Sequence, residues 1–176
     1  MYKRQGIVHA KDTPNFVGNR IGIYGMMTAI SLSKAYNMTV EEVDKLTGTI
    51  SGRPKSATFR TADIVGLDTL KSVSLTTYNK ALGDEERDNF KIPPILDKLI
   101  ESNRIGQKTK AGFYQKNEDQ TIHSVDLNTG EYSPMKKVRF DCLRVAKDSQ
   151  KLERKILALC NGDDLSLIHI SEPTRR

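Results

Sequence analysis

"DTPNFVGNRIGIYGMM", residues 12–27, decides how this chain is read. Thr13 followed by Pro14 predicts a helix start there, because the hydroxyl can accept from a free backbone N–H and proline suits the first helical position. The helical pattern then runs to about Tyr36. Phe16, Asn19, Ile23, Met26 and Ile30 fall on one face, so an amide stands inside an apolar stripe. Two readings of Asn19 follow: a buried amide satisfied by neighbouring carbonyls, or an amide presented to a substrate oxygen from the rim of a cleft. Arg20 beside it reads as a surface or salt-bridging residue, with an anion contact as the other reading. A second face carries Gly18, Gly22, Gly25 and Ala29. Each glycine costs about 1 kcal/mol of helix stability relative to alanine. Three on one face predict close approach by another backbone, within the domain or across a dimer.

Downstream, "TVEE" at residues 39–42 is a capping box opening a second helix. Gly48, Gly52 and Pro54 end it. "ATFRTADIVGLDTLKSVSLTTYNKAL" predicts two helical pieces with a joint near Gly66, and Pro93–Pro94 opens another helix with Ile95, Leu96, Leu99 and Ile100 inward. "GQKTKAGFY" reads as a loop that re-enters the core through Phe113 and Tyr114. "TIHSVDLNTGEYSP" predicts a short β-hairpin turning at Asn128–Gly130. Leu152, Ile156 and Leu159 mark a last helix capped at Asp148 or Ser149. The expectation is a mainly α fold with an appended β-hairpin and C-terminal helix.

The two ends are set apart from this fold. Met1–Gln5 can be encoded as GTG TAT AAG AGA CAG, whose reverse complement translates as Leu-Ser-Leu-Ile-His, the peptide present at residues 165–169. Such a pair is expected of a sequencing adapter read through on both strands, so residues 1–5 and 165–176 are taken as artefact. Setting aside Lys3, Arg4, Glu172, Arg175 and Arg176 lowers the formal charge from +6 to +3. That is too little to argue for a nucleic-acid partner. Two cysteines, Cys142 and Cys160, indicate packing residues in a reducing compartment and no disulfide framework. No apolar run is long enough for an integral membrane segment.

Several chemistries lack their signatures. His9, His123 and His169 do not stand at ligand spacing to each other or to a cysteine, so no metal site is expected. "SGRPKS" lacks the phosphate-loop pattern, and no G-x-G-x-x-G is present.

Three segments, "KDTPNFVGNRI", a Gly-x-Pro turn leading to "ADIVGLDT", and "NRIGQKTKAGFY", together resemble the C-terminal helical domain of the 3-hydroxyacyl-CoA dehydrogenases. That domain has the general architecture of the 6-phosphogluconate dehydrogenase C-terminal domain. The resemblance covers residues 6–116. Residues 117–164 resemble the linker of long multifunctional members, leading toward a downstream enoyl-CoA hydratase domain. Imine- or 6-phosphogluconate-type dehydrogenases share the architecture but not the "NRIGQKTKAGFY" segment.

The resemblance implies an enzyme that oxidises the 3-hydroxyl of an acyl-CoA with NAD in fatty acid β-oxidation. NAD, the catalytic His with its Glu, and a substrate-contacting Ser belong to an upstream domain. This chain would supply the substrate cleft, a homodimer surface and Asn19, which matches the family's substrate-contacting Asn. It would be inactive alone, and the whole protein is expected to be cytoplasmic. The family's usual Gly after Pro14 is Asn15 here, and "KSATFRTAD" departs from the usual Gly-Pro-Phe segment, which leaves the acyl pocket near residues 56–63 unmapped. Lys108 and Lys110 read as solvated, with a CoA-phosphate contact as the other reading. The competing class is a non-enzymatic helical dimerisation or interaction module.

Overall fold

The structure, a computed structural model, describes residues 6–147 apart from residue 8, and residues 151–160. Both suspected adapter segments and the expected cap at Asp148 or Ser149 lie outside the described residues. Seven helices are described: α1 Val17–Ala35, α2 Val40–Leu46, α3 Phe59–Val65, α4 Leu67–Lys80, α5 Pro94–Glu101, α6 Asp141–Lys147 and α7 Leu152–Cys160. Three short strands, β1 Tyr114–Lys116, β2 Ile122–Val125 and β3 Tyr132–Pro134, form one antiparallel sheet in the order β1-β2-β3.

The first helix starts later than Thr13 and Pro14 suggest. Its N-cap is Phe16, which makes no side-chain cap. The cause lies in the residue before it. Asn15 takes a left-handed conformation, φ 67, and its amide donates to the Val73 carbonyl at 3.3 Å and Thr77 Oγ1 at 2.5 Å. These contacts turn the chain before the helix can form, and a positive φ is where the family's usual glycine would be at ease.

The inward face of α1 is also shifted from the expected stripe. Ile23, Met27, Ile30 and Ser33 are buried, while Phe16 and Asn19 are exposed. The core begins only at the second turn of the helix, so its first turn projects past it. The small face meets no backbone within the described chain. A Cβ on Gly18 or Gly22 would find nothing within 4 Å, and one on Gly25 would meet only the Arg53 guanidinium at 3.6 Å. The expected close approach is therefore not made inside the domain.

The other elements follow their local chemistry. Thr39 and Glu42 close the capping box, with Glu42 N–H donating to Thr39 Oγ1 at 3.3 Å and Thr39 N–H to Glu42 Oε2 at 2.8 Å. Gly66, at φ 95, separates α3 from α4. Pro94 occupies the first turn of α5, which buries Ile95, Leu96 and Leu99. A 3₁₀ turn at Arg87–Phe90 joins α4 to α1: Ser74 Oγ donates to the Phe90 carbonyl at 2.8 Å, and Phe90 packs against Tyr24 with ring centroids 5.9 Å apart.

The expected hairpin is present as β2 and β3. Its turn is held by Asp126 Oδ1, which accepts from the N–H groups of Asn128 and Thr129 at 2.8 Å each. Two additions were not foreseen: Tyr114–Lys116 pairs with β2 as a third strand, and α6 precedes the last helix. Cys142 of α6 is buried in the core as a packing residue, whereas Cys160 at the end of α7 is exposed.

Candidate functional site

Asn19 stands on the projecting end of α1. It is exposed, and its side chain makes no hydrogen bond to any described residue. Its neighbours are fixed on both sides. Asn15 ties the start of the helix to α4 through Val73 and Thr77. Arg20 donates to the Asp84 carboxylate, and this hydrogen bond is the main reason that carboxyl lies below its usual range, with the Glu86 N–H adding to it. Arg20 is thus the salt-bridging residue that its position suggested. An immobilised backbone carrying an unpartnered amide is what a substrate-contacting group requires: neither its orientation nor its hydrogen-bonding capacity is used up by the fold.

Around Asn19 the surface is apolar. Phe16 is 82% exposed, Ile21 67% and Val17 44%. Large exposed apolar side chains clustered on one helix end mark a surface that another body covers.

A second assembly, which sequence reasoning missed, lies where α3 meets the "KAGFY" segment. Asp63 of α3 accepts from the backbone N–H of Phe113 at 2.8 Å and of Tyr114 at 2.9 Å. Burial pushes its carboxyl up to about 6, against the opposing pull of those two hydrogen bonds. Two glycines make room for it. A Cβ on Gly112 would lie 2.1 Å from Asp63 Oδ1, and one on Gly106 would lie 2.3 Å from the Asp63 carbonyl oxygen. Asp44 of α2 holds the other end of α3, accepting from Thr58, Phe59 and Arg60 N–H at 3.0, 2.6 and 3.2 Å and from the Tyr114 hydroxyl at 3.0 Å. Burial raises the Asp44 carboxyl as well, and burial with the nearby Asp44 raises the Tyr114 hydroxyl. Phe59 and Phe113 meet edge to face at 4.6 Å beneath them.

Every one of these contacts serves the fold, so Asp44 and Asp63 are structural. The signal for them was available: a lone acid within "TADIVG" and glycines within "IGQKTKAGFY" are costly unless a buried carboxylate needs backbone donors. Lys108 is exposed and lies 3.8 Å from Asp68, and Lys110 is exposed. A groove of about 750 Å³ runs beside α3, with Ser56, Arg60 and Ile64 in its wall, and Asn19 does not line it. No group of three or more His, Cys, Asp and Glu side chains converges among the described residues to hold a metal.

These features define a mainly helical domain with a small antiparallel sheet. The crystal structure of M. tuberculosis FadB2 superposes with a TM-score of 0.51 at 30% identity, over 58% of this chain and 34% of that one. The chain belongs to the family described as "3-hydroxyacyl-CoA dehydrogenase, C-terminal domain", which residues 16–116 match. A probable 3-hydroxyacyl-CoA dehydrogenase of Bacillus subtilis is 44% identical over 160 residues, 91% of this chain and 20% of that protein. A match that long includes the three-stranded sheet and the last helices. A probable 3-hydroxyacyl-CoA dehydrogenase of Deinococcus radiodurans is 40% identical over 116 residues, 66% of this chain and 33% of that protein. The chain therefore spans a fifth to a third of the length of these relatives. Their names favour a dehydrogenase over a non-enzymatic module.

Proposed function

We propose that this chain is the substrate-side helical part of an NAD-dependent 3-hydroxyacyl-CoA dehydrogenase of fatty acid β-oxidation, with residues 6–116 as the domain and 117–164 as a connection toward a further domain. The observation that carries the reading is Asn19: exposed, unpartnered, and fixed between the Asn15 and Arg20 anchors. A neutral amide there donates to, or accepts from, the substrate's 3-oxygen without changing protonation state, and so holds it for the base.

The described residues do not fit NAD. Their one sheet is antiparallel and three-stranded, with no parallel strand–helix–strand unit to receive a dinucleotide. Cofactor and base are assigned to an upstream domain resting on the apolar surface around Phe16, Val17 and Ile21. Closure of that domain would complete the cleft and exclude water from Asn19. The open face of Gly18, Gly22 and Gly25 suits a second copy in a homodimer. A cytoplasmic location belongs to the same reading; no helix among the described residues is long and apolar enough to cross a membrane. Residues 1–5 and 165–176 remain assigned to adapter sequence.

The test is to recover the coding sequence upstream, express the joined protein, and follow NAD reduction with a 3-hydroxyacyl-CoA. Turnover by the joined protein, and none by the 176-residue chain alone, is the expected result. An upstream sequence with no dinucleotide-binding unit, or a joined protein without turnover, sinks the proposal.

A further inference from the structure

A cavity of about 600 Å³ lies between α2, the turn after it, the chain that leaves β3, and helices α6 and α7. Six cations line it: Lys45, Lys55, Arg60, Lys136, Lys137 and Lys155. None of the six forms an ion pair with a described residue, although Arg20, Lys71, Lys91 and Lys108 elsewhere all do. Two acids share the wall, Glu41 and Asp44, and the fold occupies both. Asp44 spends its two oxygens on the Thr58, Phe59 and Arg60 N–H groups and the Tyr114 hydroxyl. Glu41 Oε1 accepts from Ser124 Oγ at 2.6 Å and from Lys136 N–H at 3.0 Å.

Six cations against two hydrogen-bonded carboxylates leave the concavity net positive: the cations repel each other, and the low-dielectric walls focus the remaining field on whatever enters. An anion relieves that repulsion and is held by it. The lining is not only charged. Leu143 is buried, Ile50 and Val138 are half-buried, and the Arg60 guanidinium carbon lies over the Tyr114 ring, 4.3 Å from its centroid. A small inorganic anion would leave this apolar lining uncovered. The volume lies within the range of small-molecule sites, about 300–1,000 Å³.

We propose that this cavity is a binding site for an organic phosphate of nucleotide size, its phosphoryl groups among the lysines and its ring against the apolar lining. The site draws on α2 and α3 of the family domain and on the appended segment, and no residue of α1 lines it. It is therefore independent of the role given to Asn19, and either can fail without the other.

The experiment is calorimetric titration of the 176-residue chain with ADP, and separately with inorganic pyrophosphate and with adenosine. One ADP should bind per chain, about tenfold or more tighter than either part alone, because both the charged and the apolar linings contribute. Replacing Lys55→Ala and Lys137→Ala together should weaken ADP about tenfold or more by removing charged donors. Both side chains are exposed, so the circular dichroism spectrum should not change. Lys108→Ala with Lys110→Ala removes the same charge outside the cavity and should change ADP affinity less than about twofold, since exposed charges at a distance are screened. Absence of saturable ADP binding overturns the proposal. So does pyrophosphate binding as tightly as ADP, or equal weakening by the two double variants.

Discussion

Asp63 accepts the backbone N–H of Phe113 at 2.8 Å across 50 residues of sequence, and by this bond the third helix holds the "KAGFY" segment in the core. The second oxygen takes the Tyr114 N–H at 2.9 Å. Asp63→Ala leaves one buried and one part-buried donor without an acceptor. It should cost about 2–4 kcal/mol at pH 7, the penalty for orphaned buried donors. Urea denaturation of the 176-residue chain measures it, and a loss below about 0.5 kcal/mol, the usual size of a neutral surface change, would mean that the segment is held by its aromatic packing alone.

The same carboxyl sets a pH dependence. Its folded value is raised from 3.8 to about 6, so the folded state holds the proton more tightly than the unfolded chain. Asp63 therefore contributes stability that is fully present below about pH 4 and lost as pH rises through about 6, up to on the order of 3 kcal/mol. Asp84, Asp119 and Asp126 have lowered values and act in the opposite direction, so wild type alone does not isolate the effect. The comparison is with Asp63→Asn, which cannot titrate: its deficit relative to wild type should shrink between pH 4 and pH 7. A deficit that grows over that range has the wrong sign.

Gly112 makes the space for Asp63. With a Cβ placed 2.1 Å from Asp63 Oδ1, Gly112→Ala has no conservative outcome. The expected cost is about 3 kcal/mol or more, from overpacking against a fixed carboxylate. Denaturation of this variant near wild-type urea concentrations would show that the two segments are less tightly joined than described.

Gly22 predicts the opposite response. Nothing lies within 4 Å of its missing Cβ, so alanine meets no clash. Gly22→Ala should stabilise the 176-residue chain by up to about 1 kcal/mol through helix propensity. If a second copy covers this face, a larger Gly22→Leu should lower the sedimentation-derived mass while leaving the monomer's melting curve intact. A destabilised monomer contradicts the open face.

The helices with local signals were legible in the sequence. The capping box at Thr39 and Glu42, the glycine joint at Gly66 and the Pro94 start all depend on neighbours a few residues away, and all three form. The start of α1 was not legible, because Asn15 is held by Val73 and Thr77, about 60 residues on. The apolar stripe was right at Ile23 and Ile30, but it included Phe16, Asn19 and Met26 where Met27 and Ser33 are the buried positions. Met26 and Met27 are adjacent and both fit a helical period; Met27 is the one fully buried, while Met26 is half-buried against the core. The strand at Tyr114–Lys116 is three residues long and α6 seven, too short for a periodicity to stand out. Of the candidate site, Asn19 stood out as an amide inside an apolar stripe, which left a buried and a cleft-rim reading open; its exposure on the projecting helix end agrees with the second and could not be read from the stripe alone. Asp63 escaped notice because its signal is split: the lone acid and the glycines that make room for it lie about 50 residues apart in the sequence.

Whether Asn19 contacts substrate is tested by one pair of measurements. In the enzyme rejoined to its upstream domain, kcat/KM for a 3-hydroxyacyl-CoA and the melting temperature are read on the same preparation of Asn19→Ala. Because Asn19 is exposed and unpartnered, removing it should leave stability within about 0.5 kcal/mol. Loss of one placed hydrogen bond should lower kcat/KM about tenfold or more, with NAD affinity unchanged. Unaltered kcat/KM, with or without a change in melting temperature, contradicts the account.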